Sequence, residues 1–336
     1  MTIKVTVLGA GGFIGSNLVE FMLGKGDYDI TGVDVTSDKL AGIEGDAFNF
    51  KQTDIMADEA VASCIESDLI VDLVAYANPS LYIEQPLDVF HLNFTTNMHV
   101  VDLAVKHRKK LIQYSTCEVY GKPTGETWHE DKSDLVMGPI DKQRWIYASA
   151  KQLLERVIYA YGADDQLDYS IIRPFNFVGP RFDYLVAAGS TGGPRVFSHF
   201  MSALLTGGPM YLVDGGGQHR AFTHIDDASE AFHKIVTQPE KSNRQIYNVG
   251  NPDNNITIRS LAEMMIEIYS ELNGHRPDTE LIEISGEDFY GEGYEDVDRI
   301  PPNIGKMTEL GWTPSHGMKE TLRDAMESYL DAPIPV

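Results

Sequence analysis

The stretch Gly9-Ala10-Gly11-Gly12-Phe13-Ile14-Gly15 decides the fold, because it follows a short apolar run typical of a strand and begins a helical pattern. Glycine has no Cβ, so Gly9 permits a tight turn, Gly12 lets a ligand approach the backbone, and Gly15 lets the helix pack closely on the strand. The amino terminus of the following helix attracts negative charge. Glycine clusters also occur in ordinary turns, but this position predicts a turn that binds the pyrophosphate of a dinucleotide.

Carboxylates near the ends of the next two predicted strands extend this nucleotide site. Asp34 follows the turn by ~20 residues, where a carboxylate can accept hydrogen bonds from a ribose. It disfavours a 2′-phosphate, so we predict NAD and not NADP as the cofactor. Asp54, in Thr53-Asp54-Ile55, is expected at the adenine edge, with a surface carboxylate as the alternative. The residues assigned to the cofactor are Gly9, Gly12, Phe13, Ile14, Gly15, Asp34, Asp54, Ile55, Ala75 and Lys151.

Short apolar runs alternate with longer amphipathic stretches, which is the pattern of parallel strands joined by helices. We predict strands at Lys4–Gly9, Asp29–Val35, Leu69–Ala75, Leu111–Thr116, Tyr169–Pro174 and Gln245–Val249. We predict helices at Ile14–Leu23, Asn93–His107, Tyr147–Tyr161, Ala221–Val236, Ile256–Asn273 and Met318–Leu330. The pattern indicates an α/β fold with a doubly wound parallel sheet and a smaller C-terminal lobe. Residues 1–177, with 221–250 returning to them, are assigned to the nucleotide-binding domain, and 178–220 with 251–336 to the lobe.

Composition limits the class of protein. A chain of 336 residues with 43% hydrophobic and 23% charged residues is long enough to bury a large core. It has no run of the ~20 apolar residues that a membrane span needs. The net charge of −23 repels polyanions, so we predict no nucleic-acid partner. Two cysteines, Cys64 and Cys117, form neither a disulfide framework nor a zinc site unaided, so we expect no metal and a reducing, cytoplasmic location.

Tyr147-Ala148-Ser149-Ala150-Lys151 puts a phenol and an ammonium one helical turn apart on the same face. A nearby ammonium is expected to lower the pKa of the phenol, and it can also hold the nicotinamide ribose. Tyr147 could then remove a hydroxyl proton while hydride leaves the same carbon. This spacing also fits a surface pair, but downstream of the nucleotide turn it makes Tyr147 and Lys151 catalytic candidates.

The segment Ser115–Gly121 follows the fourth predicted strand, where ligands bind in open parallel sheets. Thr116 can hydrogen-bond the reacting hydroxyl, and Glu118 is a candidate acid or base. Cys117 is either a weak acid or a small buried hydrophobe.

Together these motifs resemble the extended short-chain dehydrogenase/reductases that act on nucleotide sugars, which have a Rossmann fold. Longer strings are more specific: the run from Gly138 to Tyr147, Arg173-Pro174-Phe175-Asn176 with Gly179-Pro180-Arg181, and the run from Tyr290 to Asp296. These strings resemble the UDP-glucuronic acid decarboxylase subgroup, which includes the decarboxylase domain of the bifunctional polymyxin-resistance enzyme and the UDP-apiose/UDP-xylose synthases.

The resemblance implies oxidation of UDP-glucuronic acid at C4 through Tyr147, followed by loss of its carboxylate as carbon dioxide. It assigns Glu118 and Arg299 to the chemistry around C5, and Arg299 to the departing carboxylate. It also implies a homodimer formed through Asn93–His107 and Tyr147–Tyr161. The residues that it assigns to the nucleotide sugar are Tyr82, Asn176, Arg181, Arg195, Arg220 and Tyr290.

Several alternatives remain open at this level. Cys117 matches the apiose/xylose synthases. By the same resemblance, Ala77 stands where the plant apiose-forming enzymes have a second cysteine associated with ring contraction, so Ala77 and the short loop 122–136 argue against apiose formation. The segment before Arg299 is one residue shorter than in the relatives. A nucleotide-sugar 4,6-dehydratase, a 4-epimerase, or a nucleotide-bound protein without turnover are the competing functions. Cys117 would be a weaker acid than the Asp usual in dehydratases.

Overall fold

The protein is described from a computed structural model, which covers residues 2–187, 189–193, 195–298 and 300–330. The strands are β1 (Ile3–Leu8), β2 (Tyr28–Asp34), β3 (Phe48–Gln52), β4 (Leu69–Asp72), β5 (Lys110–Tyr114), β6 (Tyr169–Pro174), β7 (Phe177–Val178), β8 (Met210–Val213), β9 (His219–Ala221), β10 (Thr223–His224), β11 (Gln245–Val249), β12 (Asn255–Thr257) and β13 (Leu281–Ile284). Seven of them form one parallel sheet in the order β11-β6-β5-β4-β1-β2-β3. This confirms the predicted α/β fold with a parallel central sheet.

The helices lie on the sheet and beyond its edge. They are α1 (Phe13–Lys25), α2 (Asp58–Glu66), α3 (Pro79–Glu84), α4 (Pro86–Phe90), α5 (Asn97–His107), α6 (Trp145–Ala163), α7 (Val196–Thr206), α8 (Ile225–Thr237), α9 (Pro239–Ser242), α10 (Ile258–Asn273), α11 (Gly286–Tyr290), α12 (Gly305–Glu309) and α13 (Met318–Glu327). No helix in the described part of the chain is both long and apolar enough to cross a bilayer.

The two faces of the sheet bury separate apolar clusters. Alternation along β4 sends Val71 into one cluster with α1 and α8, and Ile70 into the other with α5 and α6. Because β1, β4, β5 and β6 are parallel, their carboxyl ends lie at the same edge of the sheet, with helices packed on both faces. Ligands of open parallel sheets bind at this edge.

A buried ion pair fixes α6 against the sheet. Arg173 on β6 donates two hydrogen bonds to Glu155 on α6, at 3.0 Å to Oε1 and 2.6 Å to Oε2. Both side chains are nearly fully buried, so their paired geometry is what makes the burial of the two charges tolerable. Since α6 also carries Tyr147 and Lys151, this pair sets the distance of both residues from the sheet.

Some predicted element boundaries are wrong for local reasons. The predicted helix Ala221–Val236 begins only at Ile225, because residues 219–221 and 223–224 pair as β9 and β10. The His224 side chain accepts a hydrogen bond from the Asp226 N–H and so caps α8 at that point. The predicted helix Asn93–His107 is interrupted, since His91–Thr96 is π-helical and α5 begins at Asn97. The third strand, β3, ends at Gln52, before the predicted Thr53-Asp54-Ile55.

Candidate active site

The glycine turn has the geometry that the sequence predicts. Gly9 has a φ of +84°, in the left-handed region that favours glycine. A Cβ on Gly15 would lie 2.1 Å from the Gly9 carbonyl oxygen, so only glycine lets α1 pack this closely on the turn. Gly11 is a requirement that sequence reasoning missed, since a Cβ there would lie 2.0 Å from the Thr36 carbonyl oxygen. The turn is therefore closed against both β1 and the end of β2.

Asp34 supports the turn through hydrogen bonds to the backbone. Its Oδ2 accepts from the Gly11 N–H at 2.9 Å, and its Oδ1 accepts from the Thr36 N–H at 3.1 Å. Burial raises the pKa of Asp34 above its usual value, and these backbone N–H groups act in the opposite direction. The carboxylate is thus positioned at the turn, where a nucleotide ribose is expected.

A cavity opens above the turn, and we call it the turn cavity. Its empty volume is about 1400 Å³, including the part open to solvent. Among the predicted cofactor residues, Gly9, Gly12, Phe13, Ile14, Gly15 and Ala75 line it. Asp34, Asp54, Ile55 and Lys151 do not line it. Asp54 is exposed and accepts a hydrogen bond from the Met56 N–H, so it closes a local turn after β3.

Tyr147 lies at the floor of this cavity. Its ring stacks on Tyr82 with the centroids 4.9 Å apart and the planes 9° from parallel. Burial raises the pKa of Tyr147 well above its usual value, and the negative charge of Glu118 adds to this, while a hydrogen bond with Thr116 acts in the opposite direction. The expectation that Lys151 lowers this pKa below its ordinary value is wrong for the groups that the protein itself supplies.

Lys151 lies beneath Tyr147 on α6 and is buried. Its Nζ donates a hydrogen bond to the Tyr114 carbonyl oxygen at 3.2 Å. Burial lowers the pKa of Lys151 to about 8, while Asp72 and Glu155 act to raise it. Lys151 therefore loses its proton just above neutral pH, and the nearby carboxylates decide at which pH this happens.

Glu118 pairs with Arg144, a residue that sequence reasoning did not single out. Arg144 Nη2 donates to Glu118 Oε2 at 3.2 Å, and the arginine side chain is only 4% exposed. The guanidinium also lies over the Trp145 ring, 4.6 Å from its centroid. Both partners line a second cavity. The sequence signal was the run Arg144-Trp145 directly before α6, which offers a stacking surface for a guanidinium.

The second cavity, which we call the aromatic cavity, has an empty volume of about 1020 Å³ including the part open to solvent. It shares Tyr82, Glu118, Asn176 and Arg195 with the turn cavity, so the two meet at Glu118. Its aromatic walls are Phe182, Phe197, Phe200, Tyr211, Phe222, Phe289, Tyr290 and Tyr294. Tyr290, a predicted substrate residue, stacks on Tyr294 at 4.2 Å.

Three arginines line the aromatic cavity, and each is paired with a carboxylate. Besides Arg144 with Glu118, the pairs are Arg195–Asp183 at 2.9 Å and Arg220–Asp296 at 2.6 Å. Arg195 also lies 3.8 Å above the Phe182 ring. Each guanidinium has five N–H donors, so even when it is paired with a carboxylate it can offer further donors to an anionic ligand.

The other predicted site residues have mixed outcomes. Asn176 lines both cavities, and its Nδ2 donates to the Ala221 carbonyl oxygen at 2.8 Å. Arg181 lines neither; it donates to Asn17 and pairs with Glu20 on α1, so it faces a separate groove beside that helix. Its predicted place in the substrate pocket is therefore wrong. Arg299 lies outside the described residues.

Cys117 is buried in an apolar cluster with Tyr120, Trp128 and Phe175, and it also lines the turn cavity. Its neighbour Thr116 accepts a hydrogen bond from the Glu118 N–H at 3.1 Å. This contact fixes the short turn that brings Thr116, Cys117 and Glu118 to the same edge of the sheet as Tyr147.

This arrangement combines a dinucleotide turn, a phenol in contact with a threonine, and a second cavity rich in arginine, which defines an NAD-linked oxidoreductase-type site on a parallel sheet. Residues 5–250 match the model of the NAD dependent epimerase/dehydratase family, and the chain belongs to this family. The turn residues fit the cofactor in the family description, and the cofactor is NAD.

Individual relatives match over nearly the full length. The chain is 41% identical to a UDP-D-apiose/UDP-D-xylose synthase of Oryza sativa subsp. japonica, over 98% of this chain and 88% of the relative. It is 39% identical to UDP-D-apiose/UDP-D-xylose synthase 1 of Arabidopsis thaliana, over 98% of this chain and 90% of the relative. Among solved structures, PbgP3 protein of Burkholderia pseudomallei has a TM-score of 0.86 at 35% identity, over 98% of this chain and 96% of the other.

Proposed function

We propose that this protein catalyses the NAD-dependent oxidative decarboxylation of UDP-glucuronic acid. The observation that carries the proposal is the buried Arg144–Glu118 pair at the junction of the two cavities, beside Tyr147. An enzyme that only oxidises a neutral sugar has no need of a buried guanidinium at that point. A sugar acid does, because its carboxylate must be held there. The full-length similarity to synthases of UDP-D-apiose and UDP-D-xylose supports the same substrate class.

The charges of the cavity match the charges of this substrate. UDP-glucuronic acid carries a diphosphate and a sugar carboxylate. Arg195 and Arg220 are assigned to the diphosphate, and Arg144 to the carboxylate. Each guanidinium is already paired with a protein carboxylate, so it is held in place before substrate arrives. The aromatic side chains of the cavity can cover the sugar and the base.

Oxidation comes first. Tyr147 accepts the proton of the C4 hydroxyl, which Thr116 orients by hydrogen bonding. The glycine turn from Gly9 to Gly15 would hold NAD, which would supply the acceptor for the hydride of C4. Burial and Glu118 raise the pKa of Tyr147, so the ionised phenol depends on positive charge. Arg195 acts in this direction, and Lys151, one turn away on α6, is assigned to do so when cofactor and substrate are bound.

Loss of carbon dioxide follows from the ketone. Once C4 is a carbonyl, the carboxylate on C5 belongs to a β-keto acid. The C5–C6 bond breaks, its electron pair passes to the C4 oxygen as an enolate, and carbon dioxide leaves. A proton then adds to C5, and Glu118 is assigned to this transfer. The product is a UDP-4-keto-pentose, or a UDP-pentose when the hydride is returned.

Labelled carbon dioxide tests the proposal. Purified protein with NAD and UDP-glucuronic acid labelled with ¹³C at C6 is expected to release ¹³CO₂. The nucleotide sugar that remains should be lighter by carbon dioxide when the hydride is returned, and by carbon dioxide and two hydrogens when the keto-pentose is released with NADH. UDP-glucose is the matched control without a carboxylate, and no gas is expected from it. Loss of one water from UDP-glucose would indicate a 4,6-dehydratase, and conversion of either nucleotide sugar to an isomer of unchanged mass would indicate a 4-epimerase; either result without ¹³CO₂ would refute the decarboxylase.

The fate of the pentose distinguishes the products. Ala77 lines both cavities at their junction, with Cys117 in the turn cavity. Because Ala77 offers no thiol there, an unbranched pentose of the xylose type is the expected product. Chromatography of the product against xylose and apiose standards separates the two.

Removing Arg144 is expected to weaken use of the sugar acid selectively. In Arg144→Met, kcat/KM for UDP-glucuronic acid should fall about 30-fold, as expected for a lost hydrogen bond between charged groups. The affinity for UDP, which has no carboxylate, should change less than about threefold. Steady-state kinetics and UDP titration calorimetry give both values.

Lys122→Met is the control for Arg144→Met. Lys122 pairs with Glu295 at 2.7 Å, but it is 38% exposed, and such pairs contribute little. Its kinetics should stay within about twofold of the parent chain. Equal losses for UDP and UDP-glucuronic acid in Arg144→Met would remove this arginine from carboxylate binding.

The outer surface of α4 and α6 supports a homodimer. Leu87 on α4 and Leu153 and Tyr159 on α6 are large apolar side chains with exposed fractions of 69%, 44% and 60%. A second copy meeting the same helices would bury these side chains symmetrically. A cytoplasmic location is part of the same proposal and follows from the acidic composition and the buried free cysteines.

A charge on this surface should separate the copies. Leu153→Glu is expected to shift the mass in solution from twice 37.4 kDa to 37.4 kDa, because it places a charge at the centre of an apolar contact. Ile140→Glu is the control, since Ile140 is fully exposed on a loop away from these helices. Light scattering after size exclusion reports the mass, and a Leu153→Glu protein of doubled mass would contradict this interface.

A further inference from the structure

An acidic side chain is buried behind the catalytic helix. Asp72 is the last residue of β4, a strand that lies between β1 and β5, and it is fully buried. Its side chain is on the same face of the strand as Ile70, which packs against Leu154 and Ile158 of α6. Asp72 therefore faces the helix that carries Tyr147 and Lys151.

Only one oxygen of this carboxylate has a hydrogen-bond partner. Oδ1 accepts from the Val74 N–H at 3.0 Å. Oδ2 has none among the residues that the structure describes. A buried carboxylate without partners is costly, so it is retained only where a nearby positive charge offsets that cost.

Lys151 is the positive charge that acts on the Asp72 carboxylate. Its Nζ donates to the Tyr114 carbonyl oxygen at 3.2 Å. The Gln113 side chain donates to the same carbonyl at 3.4 Å and to the Asp72 carbonyl oxygen at 3.4 Å. Gln113 is also the register partner of Asp72 in the sheet. The Gln113 side-chain amide thus links the Asp72 backbone to the Tyr114 carbonyl oxygen, which also accepts the hydrogen bond from Lys151.

Glu155, the second carboxylate near Lys151, is already paired with Arg173. Glu155 accepts from Arg173 through both of its oxygens, at 3.0 and 2.6 Å. Its charge is therefore largely balanced by the guanidinium. Asp72 is left as the described carboxylate whose charge is available to Lys151.

The remaining titratable groups around this pair are neutral at physiological pH. Burial raises the pKa values of the Tyr114 and Tyr147 phenols, and it raises the pKa of the Cys64 thiol on α2 to about 12, with Asp72 contributing. The side chain that α5 contributes here is Asn97, which donates to the Val74 carbonyl oxygen and carries no charge. The groups that face the pair are therefore the mutually paired charges of Glu155 and Arg173 and the neutral Tyr114, Tyr147 and Cys64.

We propose that Asp72 is a positioning residue that holds Lys151 in its ammonium form, and so extends both cofactor binding and hydride transfer to higher pH. The inference rests on the proposed function, because it assumes that Lys151 acts as a cation toward the cofactor and Tyr147. It assigns to this chain a buried carboxylate beneath the site that takes no part in the chemistry itself.

The sign of the effect follows from the two shifts. Burial lowers the pKa of Lys151 to about 8, and Asp72 opposes this lowering. Burial likewise raises the pKa of Asp72, and Lys151 opposes that rise. The ammonium is present below its pKa and is lost as the pH rises through it. Removing the aspartate charge therefore moves this loss to lower pH.

The test is the isosteric variant Asp72→Asn, measured as the complete chain from pH 6 to 9.5. Two pH profiles are compared with the parent: kcat/KM for UDP-glucuronic acid, and NADH affinity measured by fluorescence. In both, the loss at alkaline pH should occur at a pH lower by about one unit or more. At pH 6.5 the variant should recover to within about threefold of the parent, because Lys151 is then charged in both. Asp102→Asn, an exposed substitution on α5, should change neither profile.

Each outcome separates the two proposals. If a folded Asp72→Asn protein has a lower melting temperature but unchanged pH profiles for kcat/KM and NADH affinity, Asp72 is purely structural and the inference is overturned. If UDP-glucuronic acid is not turned over but the NADH profile still shifts, the proposed function fails and the inference stands. Where Asp72→Asn does not fold, Lys151→Met decides: the parent's alkaline loss of NADH affinity must be absent from it, and its persistence would refute the role of the ammonium.

Discussion

Tyr147→Phe is expected to lower kcat by about 10³-fold, the usual size of a lost acid–base group, while NADH affinity stays within about twofold. The substitution removes one oxygen atom. The ring remains stacked on Tyr82, so the floor of the turn cavity is kept. What disappears is the hydroxyl that contacts Thr116 and accepts the C4 proton. Stopped assays of carbon dioxide and fluorescence titration with NADH give the two quantities.

Tyr159→Phe is the matched control on the same helix. Tyr159 is 60% exposed and faces away from both cavities, so its kinetics should not change. If Tyr147→Phe retained more than about a tenth of the parent kcat, the phenol would not be the base, since a group of that role contributes more.

Gly15→Ala is the second substitution with a large expected effect. The new Cβ would lie 2.1 Å from the Gly9 carbonyl oxygen and 2.8 Å from the Ala10 Cα, and these are backbone atoms that cannot rotate away. The amino end of α1 must therefore move off the turn. We expect a loss of about 3 kcal/mol in the free energy of unfolding, and a loss of NAD affinity of at least about 10²-fold, because the phosphate-binding N–H groups move with the helix.

Gly24→Ala tests the same chemical change at the other end of α1. No heavy atom lies within 4 Å of a Cβ at Gly24, so there is nothing to displace. Alanine should raise the free energy of unfolding by about 0.5–1 kcal/mol, the usual gain over glycine in a helix, and leave NAD affinity unchanged. Urea unfolding and NAD calorimetry compare the pair. A Gly15→Ala protein that behaved like Gly24→Ala would show that α1 does not need close contact with the turn.

The turn, the parallel sheet and the Tyr147–Lys151 pair could be predicted from the sequence because their signals are local. Glycines at fixed spacing after an apolar run report backbone geometry directly, and a spacing of four on a helix reports a shared face. The family followed from strings of the same kind.

The errors came from contacts between distant segments. Arg144 became recognisable only when the fold brought it against Glu118, 26 residues away. Gly11 is fixed by the Thr36 backbone, which only the packing of β2 brings close. Arg181 was predicted to face substrate because it follows a family string, yet Glu20 and Asn17 of α1 draw it to another groove.

The raised pKa of Tyr147 could not be predicted from the sequence either. Helical spacing correctly put Lys151 on the same face, but spacing carries no information on burial. In the folded chain, burial together with Glu118 outweighs the contacts that favour the phenolate. The pKa of Lys151 is in turn raised by Asp72, a residue of β4 that lies 79 positions earlier in the chain.

The fate of the hydrogen on C4 tests oxidative decarboxylation most directly. UDP-glucuronic acid carrying deuterium at C4 would be incubated with the protein and NAD, and the nucleotide products analysed by mass spectrometry. We expect the deuterium on NADH when the keto-pentose is released, or on C4 of the pentose when the hydride is returned. Carbon dioxide released while the deuterium passes into water would contradict hydride transfer as the step that makes the carboxylate leave.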